Sequence, residues 1–347
     1  MFSYKGEKRW PRYRVISFLF TLCALFSLIY AGEYFFLNGN FEYPFTVYFF
    51  YYYPVLFPSV GMFIGVSGFV FTVLEVYIAV LVLYSIFFFL IISRPAGHGP
   101  RSGYLKTPAV FYALTTSAAF LATIAATALE QSFSVPILGQ TGVLPTYVPV
   151  YVNYLSLIYA PFAEELAFRI LPLGLFSFLL VIRAGRNLLS HSVVTETGSR
   201  MGRPGYRPVM DAFMAIIVPG HVRRKYAIKE TWMDWALIII TSLLFGYAHF
   251  YFGDWAWGKM ISATVTGFFL AFGYLKFGAY MDIPMHFFFN GTLILFALYG
   301  INVYTVSLLA ASGILALIAG LYWILFMVKS IARRGVPGES GKYYPFP

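Results

Sequence analysis

The residues whose types and spacing could do chemistry stand in three short runs. The first is Ala163-Glu164-Glu165-Leu166-Ala167-Phe168-Arg169. The second is Phe245-Gly246-Tyr247-Ala248-His249, and the third runs from Asp282-Ile283-Pro284-Met285-His286 to Asn290. Each lies in an apolar stretch, where ionisable side chains are expensive and mark a functional site by default. Glu165 and Arg169 are four residues apart, so on a helix they share a face and can pair. Glu164 points about 100° away and lacks that partner. One carboxylate is then neutralised locally while the other faces a cavity. Pro161 and Pro172 bracket the run. Proline in a membrane helix frees carbonyls and permits a kink that could open a polar chamber. His286 and Asn290 also share a face. With Asp282 as helix cap and Pro284 in the first turn, they fall near the positive end of the helix dipole. Two donors there make a plausible oxyanion site. Structural readings stay open beside these: a buried ion network for the charged residues, a helix–helix hydrogen bond for each histidine.

The elements that must position these residues are read from composition. Of 347 residues, 60% are hydrophobic and only 11% charged, against about 25% charged in soluble domains. That excludes a soluble globular enzyme. The 38 Phe and 28 Tyr exclude disorder as the main state. The expectation is an all-α fold: a polytopic membrane helical bundle of about eight transmembrane helices. The apolar stretches fall near 15–37, 66–93, 107–129, 150–182, 232–252, 258–276, 283–300 and 304–328. The first follows a basic start but exceeds a signal-peptide core, and it has no small-x-small cleavage site, so it reads as a retained helix. Residues 41–60, aromatic and carrying Pro44, Pro54 and Pro58, suit the membrane interface better than a span. Glu75, alone in the second stretch, reads as bonding a neighbouring helix or lining the chamber.

Lys and Arg number 24 against 14 Asp and Glu. All but Lys259 and Arg169 fall before the first stretch, in alternate loops, or after the last. That asymmetry places both termini in the cytoplasm by the positive-inside rule, and nucleic acid is not an expected partner. Trp232 and Trp235 at one end of the 232–252 stretch, and Trp255 and Trp257 past the other, fit interfacial belts. The chain reads as one integral membrane domain over 1–347, with a cytoplasmic loop at 183–231 and a cytoplasmic tail at 329–347. Within the loop, Met210, Phe213, Met214, Ile216, Ile217 and Val218 precede Arg223-Arg224-Lys225. This segment reads as amphipathic and resting on lipid of the inner leaflet. A partner-binding arm is the other reading. Cys23 is the single cysteine, so no intrachain disulfide or cysteine-based metal site is expected. There is no His-Glu-x-x-His motif, phosphate loop or Gly-x-Ser-x-Gly elbow.

Taken in order, Glu164-Glu165-x-x-x-Arg169, Phe245-x-x-x-His249 and His286-x-x-x-Asn290 resemble the three motifs of the CAAX protease and bacteriocin-processing family. Its best-known branch is the type II CAAX prenyl endopeptidases. The resemblance spans roughly residues 107–328, with a long segment between the first two motifs. It implies an intramembrane glutamate protease with no cofactor. Glu164 would match the general base, with His249 helping it hold and polarise a water. His286 and Asn290 would match the oxyanion donors. Glu165, Arg169 and Phe245 would shape the site. The implied substrate is a peptide or a lipidated protein; the prenyl branch removes a C-terminal tripeptide at the cytosolic face. Peptide hydrolysis indeed needs a base for water and donors for the tetrahedral oxyanion.

Two other functions remain at this level. One is a zinc-dependent membrane protease with Glu164, His249 and His286 as ligands. The other is a non-enzymatic transporter or scaffold, although transporters usually show internal repeats and none is found. One geometric demand is also set. The spans put His249 near the far end of its helix and His286 near the start of its own, yet both must reach Glu164. Either the helix of His249 is tilted and begins in the cytoplasm, or that of His286 begins below the surface.

Overall fold

The computed structural model describes residues 42, 44–55, 61–93, 108–134, 150–190, 207–252 and 256–299, with isolated positions between 306 and 321. The stretch expected at 15–37, most of that at 304–328, the tail at 329–347 and part of the 183–231 loop lie outside them.

The described chain is helical apart from one hairpin. Strand β1 (Pro44–Val55) pairs antiparallel with β2 (Gly61–Thr72), from Pro44 opposite Thr72 to Val55 opposite Gly61. Residues 66–72, expected to open a helix, are therefore strand. Their Val and Phe content suits either state, and a short apolar run cannot be assigned by periodicity. Helix α1 (Val73–Ser93) starts where the hairpin ends. The Thr72 N–H and hydroxyl donate to Glu75 Oε2 at 2.8 and 2.9 Å, and the Glu75 N–H returns a 3.3 Å bond to Thr72 Oγ1. This reciprocal box satisfies orphan donors of the first turn. Among the described residues Glu75 thus bonds its own helix start rather than a neighbouring helix or the chamber.

Next come α2 (Pro108–Ser132), then a rod made of α3 (Val150–Glu165), a π-helical segment (Leu166–Gly174) and α4 (Leu175–Ser190). The rod passes well beyond the expected end at 182. Pro172 lies inside the π segment, where its missing N–H breaks the regular ladder. Two short helices follow, α5 (Pro208–Ile217) and α6 (Pro219–Lys225), then α7 (Trp232–Phe252), α8 (Lys259–Lys276) and α9 (Ala279–Tyr299). Four helices among the described residues are long and apolar enough to cross a membrane: Val73–Ser93, Pro108–Ser132, Leu155–Arg186 and Trp232–Tyr251. On α1, Val76, Val80, Tyr84 and Phe88 are buried while Ile78, Val82, Ile86 and Phe89 are exposed. A helix apolar all round needs lipid on its outer side. The chain is a multi-pass helical membrane protein.

Hydrogen bonds from ring hydroxyls lock the helices. Tyr84 donates to the Ile158 carbonyl at 3.0 Å, and Tyr112 to that of Pro284 at 3.3 Å. Helices α7 and α8 touch at Gly246, where a Cβ would strike Thr264 and the Met260 carbonyl. Helices α5 and α6 form a floor under the α8–α9 turn. Gly278 turns the chain there at φ +110°, against the Ile217 carbonyl, so any side chain would be strained and crowded. Tyr274 donates to the Ile216 carbonyl, and Arg224 to that of Lys276 at 3.1 Å. Residues 277–289 are buried throughout, so α9 begins inside the protein, on this floor.

Candidate active site

Helix α9 starts three residues before Asp282, because Gly278 supplies the turn and its carbonyl receives the Met281 N–H at 2.9 Å. Asp282 therefore lies in the first turn rather than capping it, and Pro284 sits inside the helix. His286 and Asn290 lie two turns or more from the N-terminus. The helix dipole acts within the first turn. It does not supply the electropositive end expected for these two residues.

The π segment and the end of α3 bring Glu164, Glu165 and Arg169 toward α9. Arg169 Nη1 donates to Glu165 Oε1 at 3.2 Å, both side chains fully buried. Arg169 Nη2 donates to the Gly267 carbonyl of α8 at 3.1 Å. Glu165 is more than a local partner. Its Oε1 also meets His286 Nδ1 at 2.7 Å. His286 Nε2 then faces Glu164 Oε2 at 3.6 Å. The imidazole stands between the two carboxylates, one buried and one reached by solvent at about a quarter of its surface. Glu164 Oε2 is buried and has no hydrogen-bond donor.

Phe245 is buried at the centre. Its ring carries the Arg169 guanidinium at 4.2 Å from the centroid and stands T-shaped to His249 and His286 at 4.6 and 5.5 Å. A cation over the face matches the ring's quadrupole, and T-shaped pairs are a favoured ring geometry. His249 Nδ1 lies 2.9 Å from the Phe245 carbonyl, four residues back on α7. A carbonyl only accepts, so Nδ1 carries the proton, and in the neutral form of the ring Nε2 is then an acceptor. His249 is within electrostatic reach of Glu164. Asn290 Nδ2 donates to the Leu157 carbonyl at 3.0 Å, tying α9 to α3. An amide has two N–H donors, so one remains for other use.

All seven residues singled out in the sequence thus gather around α3, the π segment, α7 and α9. Two others join them. Lys259, at the start of α8, lies within electrostatic reach of Glu164 and of buried Glu130, whose Oε1 accepts the Ser262 N–H at 3.0 Å. The signal for Lys259 was its place as the one basic residue at the edge of a set of loops otherwise without Lys or Arg. Asp282 is fully buried, with its carboxyl in hydrogen-bonding reach of Glu165. Its signal was the spacing: Asp282, His286 and Asn290 repeat every four residues on one face. Among the described residues no three His, Cys, Asp or Glu side chains are arranged as a metal site.

A polar, carboxylate-rich site inside a bundle of apolar helices defines a multi-pass membrane protein with buried chemistry. Residues 146–292 match the model of the family described as Type II CAAX prenyl endopeptidase Rce1-like, and the chain carries a domain of that family. A domain of that family implies a membrane protease with protein substrates. The match runs from the start of α3 into α9, narrower than the span of the resemblance, and it contains all three motifs. No curated protein and no solved structure matches the chain.

Proposed function

We propose that the chain is an intramembrane glutamate endopeptidase in which Glu164 activates water. The observation that carries this is the unpartnered Oε2 of Glu164, 3.6 Å from His286 Nε2, beside a carboxylate that is already committed to Arg169. Glu164 takes a proton from water, and the water oxygen attacks the peptide carbonyl carbon. His249, its Nε2 lone pair open, holds the second hydrogen of that water. The oxygen of the tetrahedral intermediate is met by the free N–H of Asn290 and by His286, which donates from Nε2 when the ring carries both protons. Glu164 passes its proton to the departing amine as the C–N bond breaks. Glu165, Arg169 and Phe245 hold His286 in place.

The substrate in this reading is a peptide or the C-terminal end of a lipidated protein. The basic-residue asymmetry supports cytoplasmic termini and a cytoplasmic 183–231 loop. Labelling of a cysteine introduced in that loop from outside intact cells contradicts this orientation. The activity itself is tested by incubating purified protein with prenylated and unmodified peptides, with and without a strong chelator. Cleavage that survives the chelator is expected. Loss of cleavage with release of stoichiometric zinc supports the metalloprotease reading instead.

A further inference from the structure

The pairing of Glu165 with Arg169 and His286 leaves part of the buried cluster unexplained. Glu165 Oε1 accepts from both Arg169 Nη1 and His286 Nδ1. Its Oε2 is buried and receives nothing from an N–H or a hydroxyl. Asp282, one turn before His286 on α9, is in the same position. Its Oδ1 accepts the Ile283 N–H at 2.9 Å, while its Oδ2 is buried and without a donor. The two carboxyl groups lie within hydrogen-bonding reach of each other. The charged and titratable groups facing Asp282 are Glu165 on α3, Arg169 on the π segment and Tyr274 on α8, while His286, one turn further along its own helix, bonds the same Glu165. Only the Arg169 cation is fixed, and its Nη1 and Nη2 are given to Glu165 and the Gly267 carbonyl.

Two bare carboxylate oxygens facing each other without water repel; one proton between them turns that repulsion into a hydrogen bond. We infer that Asp282 is a positioning residue: its carboxyl donates a shared proton to Glu165 Oε2 and thereby fixes the carboxylate that orients His286. Arg169 already bonds Glu165, so Glu165 is the ionised partner and Asp282 the donor. The chain of contacts is then directional. Asp282 holds Glu165, ionised Glu165 accepts the hydrogen bond from His286 Nδ1–H, and His286 turns Nε2 to Glu164. This rests on the proposed role of Glu164 and His286 in peptide hydrolysis, but the proton itself is testable without any activity.

The experiment compares wild type, Asp282→Asn and Asp282→Ala in detergent, by peptide cleavage and by infrared difference spectroscopy at neutral pH. Asparagine keeps the shape and supplies an N–H to Glu165 Oε2, so Asp282→Asn should cleave near the wild-type rate. Asp282→Ala strips a hydrogen bond to a charged group and should lose roughly tenfold to a hundredfold. The carbonyl band of a protonated carboxylic acid should be present in wild type and weaker in Asp282→Asn. An asparagine variant as impaired as alanine overturns the inference, because Asp282 would then be needed as a carboxylate. So does an acid band identical in wild type and Asp282→Asn, a result that holds even where Asp282→Ala does not fold. A wild type that cleaves no peptide and yet shows the band defeats the protease mechanism and leaves the shared proton standing.

Discussion

Two buried ion clusters in this molecule make opposite use of the same residue types. At the α6–α7 junction, Asp234 is fully buried and Arg223 nearly so. Arg223 donates through both terminal nitrogens to the two oxygens of Asp234, at 2.7 and 2.8 Å. The Thr231 N–H and hydroxyl complete Oδ2, in the same box that starts α1 at Thr72. One cation meets one anion and no carboxylate oxygen is left over. Around α3 and α9, one Arg169 faces Glu165 and Asp282, with Glu164 beside them. Glu164 Oε2, Glu165 Oε2 and Asp282 Oδ2 are all buried without a donor. Saturated pairing serves to fix two helices; an excess of carboxylate oxygens around a histidine has capacity left to bind water and move protons.

Breaking each cluster should separate the two roles. The largest effect is expected for Arg169→Ala. It leaves Glu165 and Asp282 buried without their cation, at a cost of roughly 3–5 kcal/mol, and it frees the histidine. Melting temperature and cleavage should both fall. Arg223→Ala should cost a similar amount, about 3–5 kcal/mol, because Asp234 is left unpaired. Cleavage per folded molecule should nevertheless persist, as measured by active-fraction titration below the melting temperature. An Arg223→Ala protein that is fully folded but inactive would merge the two clusters.

A smaller, pH-dependent effect belongs to the floor. Asp211 Oδ2 accepts from Lys225 at 2.6 Å, Tyr226 at 2.8 Å and the Arg207 N–H at 3.1 Å. Burial works against its charge, but Lys225, Tyr226 and the Arg207 backbone outweigh it and hold its pKa below the usual value. A lowered folded pKa means stability present above the unfolded value of about 4 and lost as pH falls through the folded one. The melting temperature should drop on acidification below about pH 4, and less so in Asp211→Asn. Equal drops in both proteins would remove the floor from this account.

The sequence carried the side chains of the candidate site further than it carried the scaffold. Glu165–Arg169 and His286–Asn290 are spaced four apart, a local rule of any helix, so their shared faces were legible. The start of α9 was not. It is set by Gly278 against the Ile217 carbonyl, a contact between segments 61 residues apart. Asp282 looked like a cap for that reason, and its meeting with Glu165 across helices left only its spacing as a trace. The hairpin before α1 was hidden because residues 66–72 are apolar in a way that suits helix and strand alike. Glu75 looked isolated only while Thr72 was placed inside a helix rather than at its boundary.

The central claim is that Glu164, unlike its neighbour, is there for chemistry. Glu164→Gln keeps the shape and removes an ionisable group that has no hydrogen-bond donor at Oε2. Its melting temperature and its peptide cleavage in detergent, measured beside wild type, test this most directly. The account predicts an unchanged or higher melting temperature and a rate lower by roughly 10²–10⁴-fold, the loss typical of a missing general base. A Glu164→Gln protein that cleaves at the wild-type rate, or that unfolds as Arg169→Ala does, contradicts it.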